Sequence, residues 1–162
     1  APMPAGPEPS LGVPEGYRLL EVGGPYFRLL GPVHARSGEG GRWVIGLRMA
    51  PHHLNSQGVA HGGMLTTLAD GALGINIAVA RQQPGGQVTV SLTADFISGA
   101  REGEWLEAHT TITRMGRRLA YASCDLKVGD RAVLRASAVF AFVERDVPIS
   151  LGNLGAPPLA DG

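Results

Sequence analysis

The stretch that most constrains this chain runs from Gly62 to about Ala80. It carries Met64, Leu65, Leu68, Ala69, Ala72, Leu73, Ile75, Ile77, Ala78 and Val79. Apolar residues fall nearly all the way round a 3.6-residue period, so the segment reads as one long helix buried on most of its circumference. At ~1.5 Å per residue it reaches roughly 30 Å. Gly71, Gly74 and Asn76 weaken its intrinsic propensity, so packing has to hold it. A lone helix of this kind needs a sheet that curls about it. One chain offers one sheet, which leaves part of the helix for a second subunit to cover, and a homodimer is expected.

The flanks supply that sheet. After Pro84-Gly85-Gly86 the pattern switches to period two, with Val88, Val90, Leu92, Ala94 and Phe96 on an inner face and Thr89, Ser91, Thr93 and Asp95 on an outer one. Three more strands follow at 104–114, 119–128 and 132–143, with Gly116-Arg117 and Gly129-Asp130 as hairpin turns. Ahead of the helix, 26–30 and 42–49 read as strands, and 52–60 as a loop with Asn55, Ser56 and Gly58 as turn formers. The expected class is α+β, an antiparallel sheet around one buried helix. Residues 1–16, with five prolines, read as a disordered leader, 17–146 as the domain, and 147–162 as an irregular tail.

Bulk properties narrow the function. Lys plus Arg and Asp plus Glu are both 14, a formal net charge of zero, which argues against a general nucleic-acid or membrane-surface binder. The single cysteine, Cys124, rules out an intrachain disulfide, and no metal-ligand spacing is present among the histidines. No apolar run approaches the ~18 residues that would span a bilayer, and no basic-then-apolar leader is seen. The expectation is a soluble cytoplasmic protein with no metal and no cofactor.

The chemistry-bearing residues gather at the helix start. Gly62 and Gly63 open it, where unpaired N–H groups and the positive end of the dipole can polarise a carbonyl and hold an oxyanion. Close packing against another chain would use the same glycines. Asp70 is a carboxylate among Leu68, Ala69, Ala72 and Leu73, costly unless paired or used as a base or nucleophile; a structural bond to an arginine or to backbone is the alternative. Gly62 and Asp70 are eight residues apart, ~12 Å along one axis. That is too far for both to touch one reacting carbon, so if both are catalytic they serve different sites shared across a dimer. His61, just before the helix, suits orientation of the loop better than proton transfer. Asn55 is either a substrate hydrogen-bonder or an ordinary turn residue, and Thr89 either positions Asp70 or a water, or is a plain strand threonine.

The string Asn55-Ser-Gln-Gly-Val-Ala-His61-Gly62-Gly63, with Asp70 nine residues beyond His61, resembles the signature of hotdog-fold acyl-CoA thioesterases of the phenylacetate-pathway type and their 4-hydroxybenzoyl-CoA relatives. The likeness covers residues 40–143. It implies a hotdog fold and hydrolysis of acyl-CoA thioesters by homodimers, often paired into tetramers, without metal. It assigns Asp70 as general base or nucleophile, Gly62 as the amide that polarises the thioester carbonyl, Asn55 and His61 as thioester-holding and loop-organising residues, and Thr89 as an aid to the water. Gly63 is a further substrate contact, and Arg114, Arg117 and Arg118 are candidate contacts for CoA phosphates. A hotdog hydratase or dehydratase is the first rival, disfavoured because the nearest acid after His61 is nine residues on. A non-catalytic acyl-CoA-binding protein is the second.

Overall fold

The computed structural model describes residues 12–83, 85–144 and 154. Expectations for the rest of the leader and tail lie outside the described residues. Seven strands form one antiparallel sheet in the order β1-β2-β3-β5-β6-β7-β4. The strands are β1 Arg18–Leu19, β2 Val33–Ser37, β3 Trp43–Arg48, β4 Gly86–Phe96, β5 Trp105–Met115, β6 Leu119–Val128 and β7 Arg131–Val143. The long helix, α2, spans Gly62–Arg81 and lies against the sheet's inner face. The expected sheet around one helix is the observed hotdog arrangement. α2 is the one described helix long and apolar enough to cross a bilayer, and here it is the core helix.

Leu65, Leu68, Ala69, Ala72, Leu73, Ile75, Ile77 and Val79 of α2 pack onto Ile45, Leu47, Leu106, Ala108, Leu126 and Leu134 of the sheet, all buried. Asn76 is buried among them at 1 % exposure. Its Oδ1 accepts the Trp43 N–H at 2.8 Å, and its Nδ2 donates to the carbonyls of Trp43 at 2.9 Å and Ala72 at 3.0 Å. Trp43 lies just before the paired stretch of β3 and β5 begins. The amide side chain therefore stands in for a neighbouring strand, which is why a polar residue survives in this core.

Three expectations need correction. The segment 26–30 is not a strand: Pro25–Arg28 forms a short helix, α1. Gly23-Gly24 frees the chain to turn, and Pro25 occupies the first helical position, where its fixed φ fits and its missing N–H costs nothing. Two strands, β1 and β2, precede the helix where the pattern suggested none. The third correction concerns β4. Its register against β7 shifts between Thr89 and Ser91, leaving Val90 as an extra residue in a bulge. Alternation reverses across it. Thr89 and Gln87 join Leu92, Ala94 and Phe96 on the helix side, while Val88 and Val90 are 51 % and 59 % exposed.

The sheet's outer face is crossed by the start of the described chain. Tyr17 donates its hydroxyl to Glu107 and stands edge-on to Trp105, with ring centroids 4.9 Å apart. Arg48 donates to the Gly12 carbonyl at 2.6 Å. Burial, reinforced by the Glu107 carboxylate, pushes the Tyr17 phenol up to about 12. At the other end, Leu154 is buried at 3 % exposure and belongs to the core.

Candidate active site

α2 runs back along β4, and three contacts fix the pairing. Gln87 Nε2 donates to the Gly74 carbonyl, Thr89 Oγ1 donates to Asp70 Oδ1 at 2.7 Å, and Phe96 lies over Gly62, where a Cβ would meet its ring at 3.1 Å. The bulge at Val90 makes the middle contact possible, because without it Thr89 would face away from the helix. Asp70 is therefore neither deeply buried nor paired with an arginine. It is half-buried, held by one hydroxyl, and its second oxygen has no partner among the described residues.

Asp70 opens onto a cavity of about 350 Å³. Its walls include Gly71, Gly74 and Ile75 of α2, Thr89 of β4, Phe140 of β7 and Phe27 of α1. On the helix, Gly63, Thr67, Asp70 and Gly74 recur at spacings of four, three and four, which puts them in one stripe. None is fully buried in the single chain. The helix is thus less apolar all round than expected, with one stripe of small and polar residues facing off the sheet.

The N-terminus of α2 sorts its two glycines. His61 is the N-cap, and its Nδ1 accepts the Gly63 N–H at 2.9 Å. This satisfies one of the helix's unpaired donors and occupies the Gly63 amide. The Gly62 N–H has no acceptor among the described residues. The Gly62 and Gly63 carbonyls take hydroxyl bonds from Thr66 and Thr67 at 2.8 and 2.9 Å. Asn55 organises the loop ahead of the helix: its Oδ1 accepts from the amides of Gln57 at 2.9 Å and Val59 at 3.2 Å. Gly58, at φ +78°, supplies the turn. The Asn55 Nδ2 group has no partner among the described residues.

The structure thus brings Asp70 and Thr89 into contact and groups Asn55, His61, Gly62 and Gly63 at the helix start, with ~12 Å of α2 between the two groups. Arg114, Arg117 and Arg118 lie at the β5–β6 hairpin, exposed and without acidic partners among the described residues. Thr89 pairs with Phe140, and Phe140 with Ala120, so the hairpin shares the Asp70 end of the sheet. It stands two to three strand spacings from β4, roughly 10–15 Å. Sequence reasoning missed the α1 wall, Gln87, and a histidine pair, His52 and His53, that holds the segment after α1. Only the Gly-Gly-Pro start of α1 was there to be read. A larger cleft, about 630 Å³, opens beside Arg36, Arg42, Trp43 and His109, on the other side of the sheet from β4 and away from Asp70. Among the described residues no cluster of three or more His, Cys, Asp or Glu side chains converges as metal ligands would.

Comparison with known proteins gives this geometry a family. Residues 57–135 match the profile of the Thioesterase superfamily. A Pseudomonas aeruginosa protein named "Putative esterase" is 45 % identical over 130 residues, covering 80 % of this chain and 97 % of its own. Human Acyl-coenzyme A thioesterase 13 is 29 % identical over 100 residues, covering 61 % of this chain and 70 % of its own. The solved structure of a conserved Pseudomonas aeruginosa protein superposes with a TM-score of 0.68 at 26 % identity, over 74 % of this chain and 94 % of that one. The chain belongs to the Thioesterase superfamily and is a thioester hydrolase built on the hotdog fold.

Proposed function

We propose that the chain hydrolyses acyl-CoA thioesters to the free acid and CoA, at two equivalent sites that each span a homodimer. The observation that carries this reading is the Thr89–Asp70 hydrogen bond at 2.7 Å. It holds a helix carboxylate at the mouth of a cavity with one oxygen left over for chemistry. The relative named for acyl-CoA thioesters supports the substrate class.

Two features support the dimer. β4 is an edge strand of eleven residues with Val88, Val90 and Phe96 exposed. An edge so long and apolar invites pairing with another chain. The Gly63–Thr67–Asp70–Gly74 stripe lies on the helix beside it, small enough for a second helix to approach. A two-fold axis there would set the helices antiparallel and bring Gly62 of the partner subunit towards Asp70, closing the ~12 Å gap that one chain leaves.

In this site Asp70 takes a proton from water through the oxygen that Thr89 does not hold. The water oxygen attacks the thioester carbonyl carbon, and the electron pair moves to the carbonyl oxygen, which the N–H of Gly62 of the partner subunit stabilises. Collapse re-forms the carbonyl and breaks the C–S bond; CoA leaves as a thiolate and recovers the proton. In the direct route the Asp70 carboxylate itself attacks, giving a mixed anhydride that water then hydrolyses. Asn55 Nδ2 is free to donate to the substrate, His61 fixes the loop, and Arg114, Arg117 and Arg118 offer charge to the CoA phosphates. Asp70→Asn keeps shape and the Thr89 contact but removes the base. Thiol release from acyl-CoA should fall by ~10²–10⁴ with circular dichroism unchanged; turnover within a few-fold of the parent would sink the assignment.

A further inference from the structure

β4 and α2 lie side by side and run in opposite directions, so contacts between them fix what a two-fold axis at this edge would bring together. Thr89 bonds Asp70, and Phe96, the last residue of β4, lies over Gly62. An axis that carries the partner's Gly62 to Asp70 therefore also carries the partner's Phe96 to Thr89. Residues opposite one another in an antiparallel pair project to the same face. Thr89 and Phe96 are seven residues apart in sequence, an odd number that would set them on opposite faces. Their β7 partners, Phe140 and Leu134, are six apart, an even number, because Val90 is left out in the bulge. With Thr93 on the axis, Thr89 and the partner's Phe96 stand opposite each other on the helix side. The bulge that turns Thr89 towards Asp70 is also what makes this register consistent.

The Phe96 ring is 57 % exposed in the single chain, yet its placement is fixed. A Cβ on Gly62 would meet its Cε1 at 3.1 Å, Cζ at 3.4 Å and Cδ1 at 3.7 Å, so the ring lies along the flank of the glycine whose N–H is open. Behind it, the Ile97 N–H donates to the Val133 carbonyl at 2.9 Å, and Ser98 Oγ donates to the Ala132 carbonyl at 2.5 Å. The Ala60 N–H donates to the Ala100 carbonyl at 2.8 Å, which ties the loop before α2 to the chain after β4. Ring and amide are held to one frame.

We infer that Phe96 is a positioning residue for the site across the dimer axis: its ring walls off the space between the Gly62 amide of its own chain and the Asp70–Thr89 pair of the partner subunit. The inference rests on the proposed acyl-CoA hydrolysis at sites shared by two chains. A phenyl ring accepts no proton and forms no bond in the reaction. It excludes bulk water that would compete with the thioester oxygen for the Gly62 N–H. With that water gone, the amide and the carboxylate act on the thioester with less screening.

The test uses whichever of acetyl-, hexanoyl- and phenylacetyl-CoA the parent turns over fastest. Phe96→Ala should lower kcat by ~10–10²-fold with KM little changed, as loss of placement does. Phe96→Leu keeps apolar bulk and should stay within a few-fold of the parent. Ile97→Ala, at the next residue and 52 % exposed, should leave kcat unchanged. Mixed dimers then show which chain's carboxylate the ring serves. Refolded with an equal amount of Asp70→Asn, Phe96→Ala should recover to roughly a quarter of the parent rate, because each mixed dimer has one intact site. Refolded with Gly62→Pro it should not recover, since both changes fall on contributions from the same side of the site. If sedimentation shows Phe96→Ala dissociated, Phe96→Val carries the same mixing. Parent-like kcat in Phe96→Ala, recovery with Gly62→Pro, or no recovery with Asp70→Asn overturns the inference. If Asp70→Asn and Gly62→Pro also fail to rescue each other, the shared-site reading falls with it; if they do rescue each other, that reading stands alone.

Discussion

The Phe27 ring of α1 sits in a slot between Gly71 and Gly23, and Gly71→Ala puts that slot to a quantitative test. In an open helix interior the change adds up to ~1 kcal/mol of stability, because alanine loses less backbone entropy than glycine. Here the new methyl would sit 2.1 and 2.4 Å from two ring carbons of Phe27, and Gly23 closes the other side, so the ring cannot slide away. It must leave, and exposing a buried phenyl costs ~1.5–3 kcal/mol. The balance is a net loss of ~0.5–2 kcal/mol, which at ~2 kcal/mol per molar urea lowers the unfolding midpoint by roughly 0.3–1 M. Gly74→Ala, one turn on, meets neighbours only at 3.3 Å and beyond and should be neutral or stabilising by up to ~1 kcal/mol. Urea unfolding of both variants gives the comparison. On a Phe27→Ala background, Gly71→Ala should cost nothing, since the clash and its partner are gone together. If Gly71→Ala is as stable as Gly74→Ala, or costs the same with and without Phe27, the slot does not position α1 and the argument fails.

Two further outcomes follow from buried polar groups. Asn76→Leu keeps the volume but strands the N–H and C=O of Trp43, so stability should fall by ~2–5 kcal/mol in urea unfolding; a loss under ~1 kcal/mol would show that Asn76 is not replacing a strand partner. Burial holds the His53 and His34 imidazoles below their ordinary value of 6.5. The unfolded chain then binds more protons than the folded one below that pH, so stability is full above about pH 7 and drops as pH falls through about 6.5 towards the depressed native values. A urea midpoint that rises on acidification, or a slope left unchanged by His53→Gln, would contradict this.

Much of this was legible in sequence, for physical reasons. Gly62–Arg81 is long and strongly periodic, and the four strands after it alternate cleanly between short turns, so each element announces itself locally. The pair of catalytic candidates on α2 was readable from spacing, since a helix converts eight residues into a distance. What failed depends on contacts remote in sequence. Tyr26-Phe27-Arg28-Leu29-Leu30 looks like a strand by composition, but Gly24-Pro25 starts a helix and only the Gly23–Gly71 slot gives Phe27 a place. The bulge at Val90 reverses the faces of β4 and has no mark in the sequence, so Thr89 was set on the wrong side of the strand although it bonds Asp70. β2, Val-His-Ala-Arg-Ser, is too polar to be seen without its neighbours. The bonds that join His52 and His53 to the Leu30 carbonyl span more than twenty positions, and adjacent histidines gave no hint of them.

The central claim is that each active site takes Asp70 from one subunit and the Gly62 amide from the other, and mixed dimers test it most directly. Gly62→Pro deletes that N–H and asks the exposed Phe96 ring, 3.1 Å from the added Cβ, to give by a few tenths of an ångström; proline suits the first helical position, and His61, at φ −64° and ψ 132°, already has the extended backbone that a following proline demands. Asp70→Asn and Gly62→Pro homodimers should each be nearly inactive, the second by ~10²–10³. When the two are unfolded, mixed in equal amounts and refolded together, half of the dimers pair unlike chains, and each of those has one intact site of two. Acyl-CoA hydrolysis should then return to roughly a quarter of the parent rate. Activity that stays at the level of the separate variants would mean that each subunit carries its whole site, and would contradict the account.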